Sequence, residues 1–151
     1  MEPGLYIVST PIGNLEDISR RALRVLGSVN VIVAEDTRIT RGLLGKLGVK
    51  IPKLFSYTDF SNSNVVDKVL SGISNGLSIA LVSDAGTPVI SDPGYRLVLA
   101  AQLAKYKVIP IPGPCAAIAA LSISGLAKGK KSKRRAAGKK SKRRTRRRRR
   151  R

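Results

Sequence analysis

Five short apolar runs alternate with segments of helical periodicity along most of this chain. Four of the runs are rich in β-branched side chains, as strands buried inside a sheet usually are, and the remaining one, residues 53–57, reads KLFSY. The segments between the runs carry apolar residues three or four positions apart, which is the spacing of one helix face. Strands that alternate with helices predict an α/β fold with a mostly parallel, five-stranded sheet and right-handed crossovers. The predicted strands are residues 5–9, 29–34, 53–57, 77–83 and 107–111.

Three apolar stripes and one further segment predict the helices that flank the sheet. The second helix has a signal at each end, because Asp36 or Thr37 is suited to cap its start and Gly48 to end it. Residues 95–106 predict a fourth helix. The stripes are Ile18, Ala22, Leu23 and Leu26 in the first helix, Ile39, Leu43, Leu44 and Leu47 in the second, and Val65, Val66, Val69, Leu70 and Ile73 in the third.

Turn-forming and polar residues concentrate where the predicted strands end. The longest such loop, residues 83–94, reads SDAGTPVISDPG, and the loops after the first, second and fifth strands contain TPIGN, EDTR and PIPGPC. Gly permits unusual backbone angles and Pro fixes φ, so the long loop is expected to be preshaped; the alternative is an ordinary tight turn with an Asp cap. Because the carboxyl ends of parallel strands share one edge of the sheet, the sequence predicts a ligand cleft there.

Several kinds of chemistry are excluded or disfavoured by composition and motif. The chain has no His, which removes histidine bases, His-containing triads and His-ligated metals, and its single Cys115 excludes an intramolecular disulfide. The first loop lacks the G-x-G-x-x-G of a dinucleotide site, and the loop from Ser83 lacks the Gly-Lys-Ser/Thr of a phosphate cradle. A cofactor without phosphates, held by backbone groups, suits these loops better, and no metal is predicted.

The charge of the chain is concentrated at its carboxyl end. Of 29 Lys and Arg, 17 lie between Lys128 and Arg151 with no acidic residue among them, which leaves 12 basic residues against 9 acidic ones in the rest. We therefore expect a domain at residues 1–126 and a disordered polybasic tail at residues 127–151. The tail has three readings: an extension that binds RNA phosphates, the product of a frameshift beyond a truncated domain, or an artificial addition.

The amino terminus and the segment before the tail bear on location and packing. Residues 1–8 show no basic region followed by a long apolar segment, so we expect neither a secretory signal nor a membrane span and take the cytoplasm as the default.

Residues 115–126 are apolar almost all round, whereas a surface helix has a polar face. Either this helix packs deep in the domain or its covering partner is missing.

Four motifs carry a resemblance to a known family. Residues 5–18, 34–38, 83–94 and 112–117 read LYIVSTPIGNLEDI, AEDTR, SDAGTPVISDPG and PGPCAA. Together, and in this order, they resemble the bacterial small-subunit ribosomal RNA (cytidine) 2′-O-methyltransferases. That family belongs to the tetrapyrrole-methylase-like class of S-adenosylmethionine enzymes. The match covers essentially all of residues 4–126.

The resemblance implies a two-domain enzyme that holds S-adenosylmethionine in the cleft between its domains. The implied substrate is a ribose 2′-hydroxyl of ribosomal RNA in the small subunit. Homodimers are common in the family, although the sequence itself supports no oligomeric state. The residues implied to bind the cofactor are Pro11, Asp84, Ala85, Gly86, Ile90, Ser91, Asp92, Pro112, Gly113 and Pro114.

Candidates for the chemistry outside the cofactor loops lie after the second strand and the fifth. Glu35 is the available general base for the 2′-hydroxyl proton, or else a strand-end residue exposed to solvent. Asp36 is expected to cap the second helix. Arg38 is expected to hold an RNA phosphate, the alternative being a pair with Asp36. Cys115 stands where the resembled family usually has Ser, and we expect it to pack rather than to react.

The chain departs from the resembled family after Leu126, where the family's second domain would begin and the polybasic tail begins instead. That domain would supply the other wall of the cofactor site, so methyl transfer by this chain is expected to be impaired. The alternative function is a non-enzymatic RNA-binding remnant that acts through its tail. A methylase that acts on a small tetrapyrrole is a further alternative. The amino-acid sequences of residues 34–38 and 83–94 argue against it.

Overall fold

The structure is a computed structural model that describes residues 1–57, 62–90 and 94–126. The chain divides into two compact units, Met1–Ala116 and Ala117–Arg151. The first unit holds the whole sheet. No helix within the described ranges has the length and apolarity needed to cross a membrane.

A single five-stranded parallel sheet forms the centre of the first unit, as the sequence predicts. Its strand order is β3-β2-β4-β1-β5, and every neighbouring pair is parallel. Leu5 of β1 lies opposite Ile79 on one side and Val108 on the other. The strands are β1 (Gly4–Val8), β2 (Val31–Ala34), β3 (Lys53–Ser56), β4 (Ser78–Val82) and β5 (Val108–Ile111), each within two residues of its predicted bounds.

Four helices connect the strands, and a fifth follows the sheet. A short 3-10 turn, Leu15–Asp17, precedes the first helix. That helix starts later than its apolar stripe suggests, because the Ser19 hydroxyl accepts a hydrogen bond from the Ala22 amide and caps it there. The helices are α1 (Arg20–Leu26), α2 (Thr37–Lys46), α3 (Asn62–Ser74), α4 (Tyr95–Leu103) and α5 (Ala116–Ile123).

The helices cover both faces of the sheet. The connections from β1 to β2 and from β2 to β3 run toward one edge, whereas those from β3 to β4 and from β4 to β5 run toward the other. Since crossovers keep one hand, a reversal of direction places the later helices on the opposite face. One core cluster accordingly joins α1 and α2 to Tyr6, Ile32 and Val82. The other joins α3 and α4 to Leu5 and Leu81.

Both predicted end signals of α2 are present. Asp36 is the N-cap, and its side chain accepts a hydrogen bond from the Arg38 amide at 2.8 Å, so Asp36 rather than Thr37 caps the helix. Gly48 has a φ of 65° and its amide bonds to the Gly45 carbonyl, while the Val49 amide bonds to the Leu44 carbonyl. These two bonds form a Schellman motif, in which glycine is favoured because its φ is positive.

Helix α5 keeps the apolar character seen in the sequence. Every residue from Ala116 to Leu126 is exposed, and Ile123 is 88% exposed. The expected tail, from Lys128 to Arg151, lies outside the described residues, so the expected boundary at residue 126 remains a prediction.

Candidate functional site

The four loops that the sequence singled out meet at one edge of the sheet. Each follows the carboxyl end of a strand, and all five strands are parallel. The loops after β1 and β5 flank the loop after β4 on one side, and the loop after β2 borders it on the other. The order of the strands therefore gives the β4 loop a central position.

A pair of backbone hydrogen bonds joins the β1 loop to the β4 loop. The Thr10 amide donates to the Gly86 carbonyl at 2.9 Å, and the Gly86 amide donates to the Thr10 carbonyl at 3.1 Å. This bridge is antiparallel, unlike every pair in the sheet. It requires the chain to turn sharply between Ser83 and Gly86. Gly86 makes that turn with a φ of 81°, a backbone conformation that other residues rarely adopt.

The β5 loop is held to the same place by hydroxyl groups. The Thr87 hydroxyl donates to the Pro114 carbonyl at 2.9 Å and shares a second hydrogen bond, also 2.9 Å, with the Ser9 hydroxyl. Gly113 packs so closely on Ser9 that an added Cβ would lie 2.8 Å from the Ser9 Cβ. Three loops that are distant in sequence thus form one connected rim.

The β2 loop is tied in through a crossed pair of hydrogen bonds. The Asp36 amide donates to Asp84 Oδ1 at 3.0 Å, and the Asp84 amide lies 3.4 Å from Glu35 Oε2. Each loop thereby supplies both a carboxylate and an amide to the other. Glu35 is half-buried at this contact, so the reading of Glu35 as a freely solvated strand-end residue is wrong.

Asp36 and Arg38 form a two-pronged ion pair at the start of α2. Arg38 Nη2 lies 2.8 Å from Asp36 Oδ2, and Arg38 Nε lies 3.2 Å from Asp36 Oδ1. The side-chain hydrogen bonds from Arg38, together with those from the backbone, lower the pKa of Asp36 from 3.8 to about 2. Arg38 remains 89% exposed, so the pair leaves it open to solvent and to ligands.

Arg38→Ala is expected to raise the pKa of Asp36 from about 2 toward its ordinary value of 3.8, because the largest cause of the shift is removed. A carboxyl group whose pKa is lowered on folding stabilises the fold above the unfolded pKa, and this contribution disappears as pH falls through the folded pKa. A carboxyl-detected NMR titration of Asp36 measures the change. Arg41→Ala, an exposed cation on the same helix, is the matched control. An unchanged Asp36 midpoint in Arg38→Ala would contradict the assignment.

A pocket of about 360 Å³ opens beside these loops. Pro11 and Asp84, two of the residues implied to bind the cofactor, lie in its wall together with Arg38. The sequence missed most of the remaining wall, which comes from one face of α2. Of the apolar stripe of that helix only Leu44 is fully buried, and its other members are half-buried or exposed. The other lining residues are Gly13, Leu15, Ile39, Gly42, Leu43 and Lys46.

The remaining implied cofactor residues that the structure describes do not line this pocket. Ala85 and Gly86 belong to the turn beside it, Ile90 is 64% exposed, and Pro112, Gly113 and Pro114 form the β5 side of the rim. Ser91 and Asp92 lie outside the described residues. Cys115 is a half-buried free thiol. No cluster of acidic, Cys or His side chains suited to a metal occurs in the ranges that the structure describes.

A second pocket, of about 750 Å³, lies away from this edge, between α3 and the face of β2, β3 and β4. The lining of this pocket is mostly apolar and includes Phe55 and Val69. Lys53 and Lys68 also line it. Among the described residues predicted to bind a ligand, neither Pro11, Asp84 nor any other strand-end residue contributes to its wall. The larger volume therefore does not make it the better candidate for the predicted site.

Residues 4–151 match the family model for tetrapyrrole (corrin/porphyrin) methylases. The chain belongs to the tetrapyrrole methylase family. The resemblance seen in the four sequence motifs is confirmed by curated tetrapyrrole methylase relatives named ribosomal RNA small subunit methyltransferase I. The Vibrio cholerae protein is 55% identical over 124 residues, and the Escherichia coli O157:H7 protein is 53% identical over 122 residues. These alignments cover 82% and 81% of the chain but only 43% and 42% of the relatives, so the chain spans less than half of their length.

Solved tetrapyrrole methylases share the fold. The uroporphyrin-III-C-methyltransferase of Thermus thermophilus matches with a TM-score of 0.61 at 23% identity, over 82% of this chain and 52% of that one. A cobalt precorrin-4 methyltransferase matches with a TM-score of 0.62 at 16% identity, over 80% and 50% of the two chains. The predicted fold class, a parallel five-stranded α/β domain of this type, is confirmed.

Proposed function

We propose that this chain is the amino-terminal half of an S-adenosylmethionine-dependent methyltransferase that acts on the ribose 2′-hydroxyl of a cytidine in small-subunit ribosomal RNA. Residues 1–126 are its methyltransferase domain, and residues 127–151 form a separate basic tail. The site of action is the cytoplasm, where bacterial ribosomal RNA is found. The names of the relatives support the reaction class and the RNA substrate.

One observation carries the proposal: four strand-end loops are joined by hydrogen bonds into a single rim beside a pocket. A volume of about 360 Å³ lies within the range of pockets that hold small ligands. The position at the carboxyl ends of parallel strands is where open α/β sheets bind cofactors.

The rim suits a cofactor that is held by backbone groups rather than through phosphates. Ala85 and Gly113 are exposed residues, and neither backbone amide donates a hydrogen bond to another backbone group in the described ranges. A Cβ at Gly113 would clash with Ser9, so glycine lets the backbone of the β5 loop approach the β1 loop this closely. S-adenosylmethionine supplies an electrophilic methyl group on a sulfonium and offers carboxylate and adenine acceptors. Pro11, Asp84 and the turn through Gly86 would surround it, with Ile90 and Pro112–114 on the remaining side, and the resemblance adds Ser91 and Asp92 to the residues that bind it.

The protein itself would align the cofactor with the ribose, exclude water from the site and accept the proton of the 2′-hydroxyl. Loops fixed to each other cost little reorganisation when the reactants meet, which favours a near-attack geometry. Arg38 and Lys46 at the pocket wall supply positive charge for an RNA phosphate. The role of Glu35 as general base remains a prediction, and the hydrogen bond from the Asp84 amide gives Glu35 a competing role.

The alternative proposal is an RNA-binding protein without methyl-transfer activity that acts through its tail. It is favoured by the 17 Lys and Arg between Lys128 and Arg151, a charge density that gives strong, salt-dependent and sequence-independent affinity for phosphates.

Two measurements on the full chain separate these functions. Calorimetry with S-adenosylmethionine tests the pocket, and transfer of a labelled methyl group to unmethylated small ribosomal subunits tests the reaction. Saturable cofactor binding with transfer to a cytidine 2′-oxygen is the expected result. RNA binding that disappears at high salt, without cofactor binding or transfer, would reject the enzyme and support the alternative.

A further inference from the structure

We propose that Glu35 and Asp84 are positioning residues that hold the Asp84–Gly86 turn in its working shape, and that Glu35 does so as a hydrogen-bond acceptor rather than as a proton acceptor. The proposal rests on the proposed function for its consequence in cofactor binding. Its geometry stands on the crossed hydrogen bonds between the β2 and β4 loops.

The crossed pair begins where the backbone pairing of β2 with β4 stops. Ala34 and Val82 are the last partners in the register of these strands. Beyond them, the next contacts between the two loops run from backbone amides to side-chain carboxylates, at Asp36 to Asp84 and Asp84 to Glu35. The carboxylate oxygens take the place of the backbone carbonyls that would continue a parallel ladder. Two loops that diverge toward different helices are thereby kept adjacent.

The turn is fixed from its opposite end by the β1 loop. The Thr10 amide and carbonyl bond to the Gly86 carbonyl and amide, at 2.9 and 3.1 Å. With Asp84 bound to the β2 loop and Gly86 bound to the β1 loop, only Ala85 lacks a backbone donor contact to its neighbours among the described residues. Ala85, which is exposed, is therefore held between two neighbours that are each bonded to another loop. Release of either neighbour would loosen the turn.

The contacts of Glu35 distinguish positioning from general-base catalysis. In the contact with Asp84, Glu35 Oε2 accepts a hydrogen bond from the Asp84 backbone N–H. The side-chain carbonyl oxygen of Gln can accept the same hydrogen bond. A general base must instead take up a proton from the substrate, which an amide does not do near neutral pH. The same comparison applies to Asp84, whose Oδ1 accepts a hydrogen bond from the Asp36 amide. Asn has the same shape as Asp and can accept that hydrogen bond through its side-chain oxygen.

The test compares truncation with conservative replacement at both positions in the full chain. Glu35→Ala and Asp84→Ala are expected to weaken S-adenosylmethionine binding by about tenfold, the effect of about 1.4 kcal/mol. Glu35→Gln and Asp84→Asn are expected to rescue most of that loss. In cofactor-free protein, amide hydrogen exchange should accelerate at Asp84 in Glu35→Ala and at Asp36 in Asp84→Ala. Asp67→Ala, which removes an exposed carboxylate on α3, is the matched control.

Rescue in the conservative variants with faster exchange in the Ala variants would support the proposal. Loss of binding or of methyl transfer in Glu35→Gln equal to that in Glu35→Ala would overturn it, because the charge or the proton would then matter. If an Ala variant fails to fold, the Gln and Asn variants still decide the outcome. If the unmodified chain binds no cofactor, the proposed function fails, while unchanged exchange at Asp36 and Asp84 separately rejects the positioning role.

Discussion

Leu97→Ala is expected to lower the free energy of unfolding by about 2–5 kcal/mol, the largest effect on stability that we predict for a single substitution. Leu97 lies in α4 and is 0% exposed. It belongs to the core cluster that joins α3 and α4 to one face of the sheet, with Leu5 and Leu81 among its members. Removal of its isobutyl group loses apolar burial and leaves a cavity that the packed strands cannot fill.

The matched control is Leu103→Ala, which makes the same chemical change in the same helix at a side chain that is 76% exposed. A change of roughly 0.5 kcal/mol or less is expected there. Urea unfolding followed by circular dichroism gives both values, provided that the free energy of unfolding falls with urea concentration at the same slope in each protein. Equal losses in the two variants would mean that α4 does not pack on the sheet as described.

Gly86→Ala is expected to weaken binding of S-adenosylmethionine by about tenfold or more and to destabilise the fold by about 1–2 kcal/mol. The φ of Gly86 is 81°, and an added Cβ would lie 3.1 Å from Ile12 Cγ2. The turn would relax by moving its backbone, which would break the two hydrogen bonds to Thr10 that fasten the β4 loop to the β1 loop. Calorimetric titration with the cofactor measures the loss of affinity.

Gly48→Ala separates backbone strain from the shape of the site. Gly48 ends α2 with a φ of 65°, and no atom lies within 4 Å of an added Cβ. This variant should lose a similar amount of stability through strain and keep its affinity for the cofactor, because the rim is untouched. Equal losses of affinity in the two variants would show that general destabilisation, rather than the Asp84–Gly86 turn, controls binding.

Much of the fold could be predicted because its signals are local. Each strand is a short run with apolar side chains, β-branched in all but β3, and each helix stripe follows the 3.6-residue period. The existence and order of the elements therefore follow from neighbouring residues. The cap at Asp36 and the end of α2 at Gly48 have equally local causes, a side chain bonding two residues ahead and a positive φ. The late start of α1 was missed, because Ile18 fits the stripe although Ser19 caps the helix.

Less of the candidate site could be predicted, because its contacts join residues that are far apart in sequence. The parallel sheet alone implied a shared edge for the four loops. It did not imply that Ile39, Leu43 and Lys46 of α2 would form a pocket wall, since an apolar helical stripe is equally compatible with core. The pairing of Glu35 with Asp84 spans 49 positions and depends on β2 lying beside β4.

The sequence by itself determined which segments become strands and helices, where the loops rich in turn residues fall, and to which family the motifs point. Only the tertiary structure decided the order of the strands, the face that each helix covers and the partners of each loop residue. The physical reason is the range of the forces involved. Backbone preference and hydrophobic period act between near neighbours, whereas strand order and the hydrogen bonds of Thr10, Asp84 and Thr87 arise when distant segments pack together.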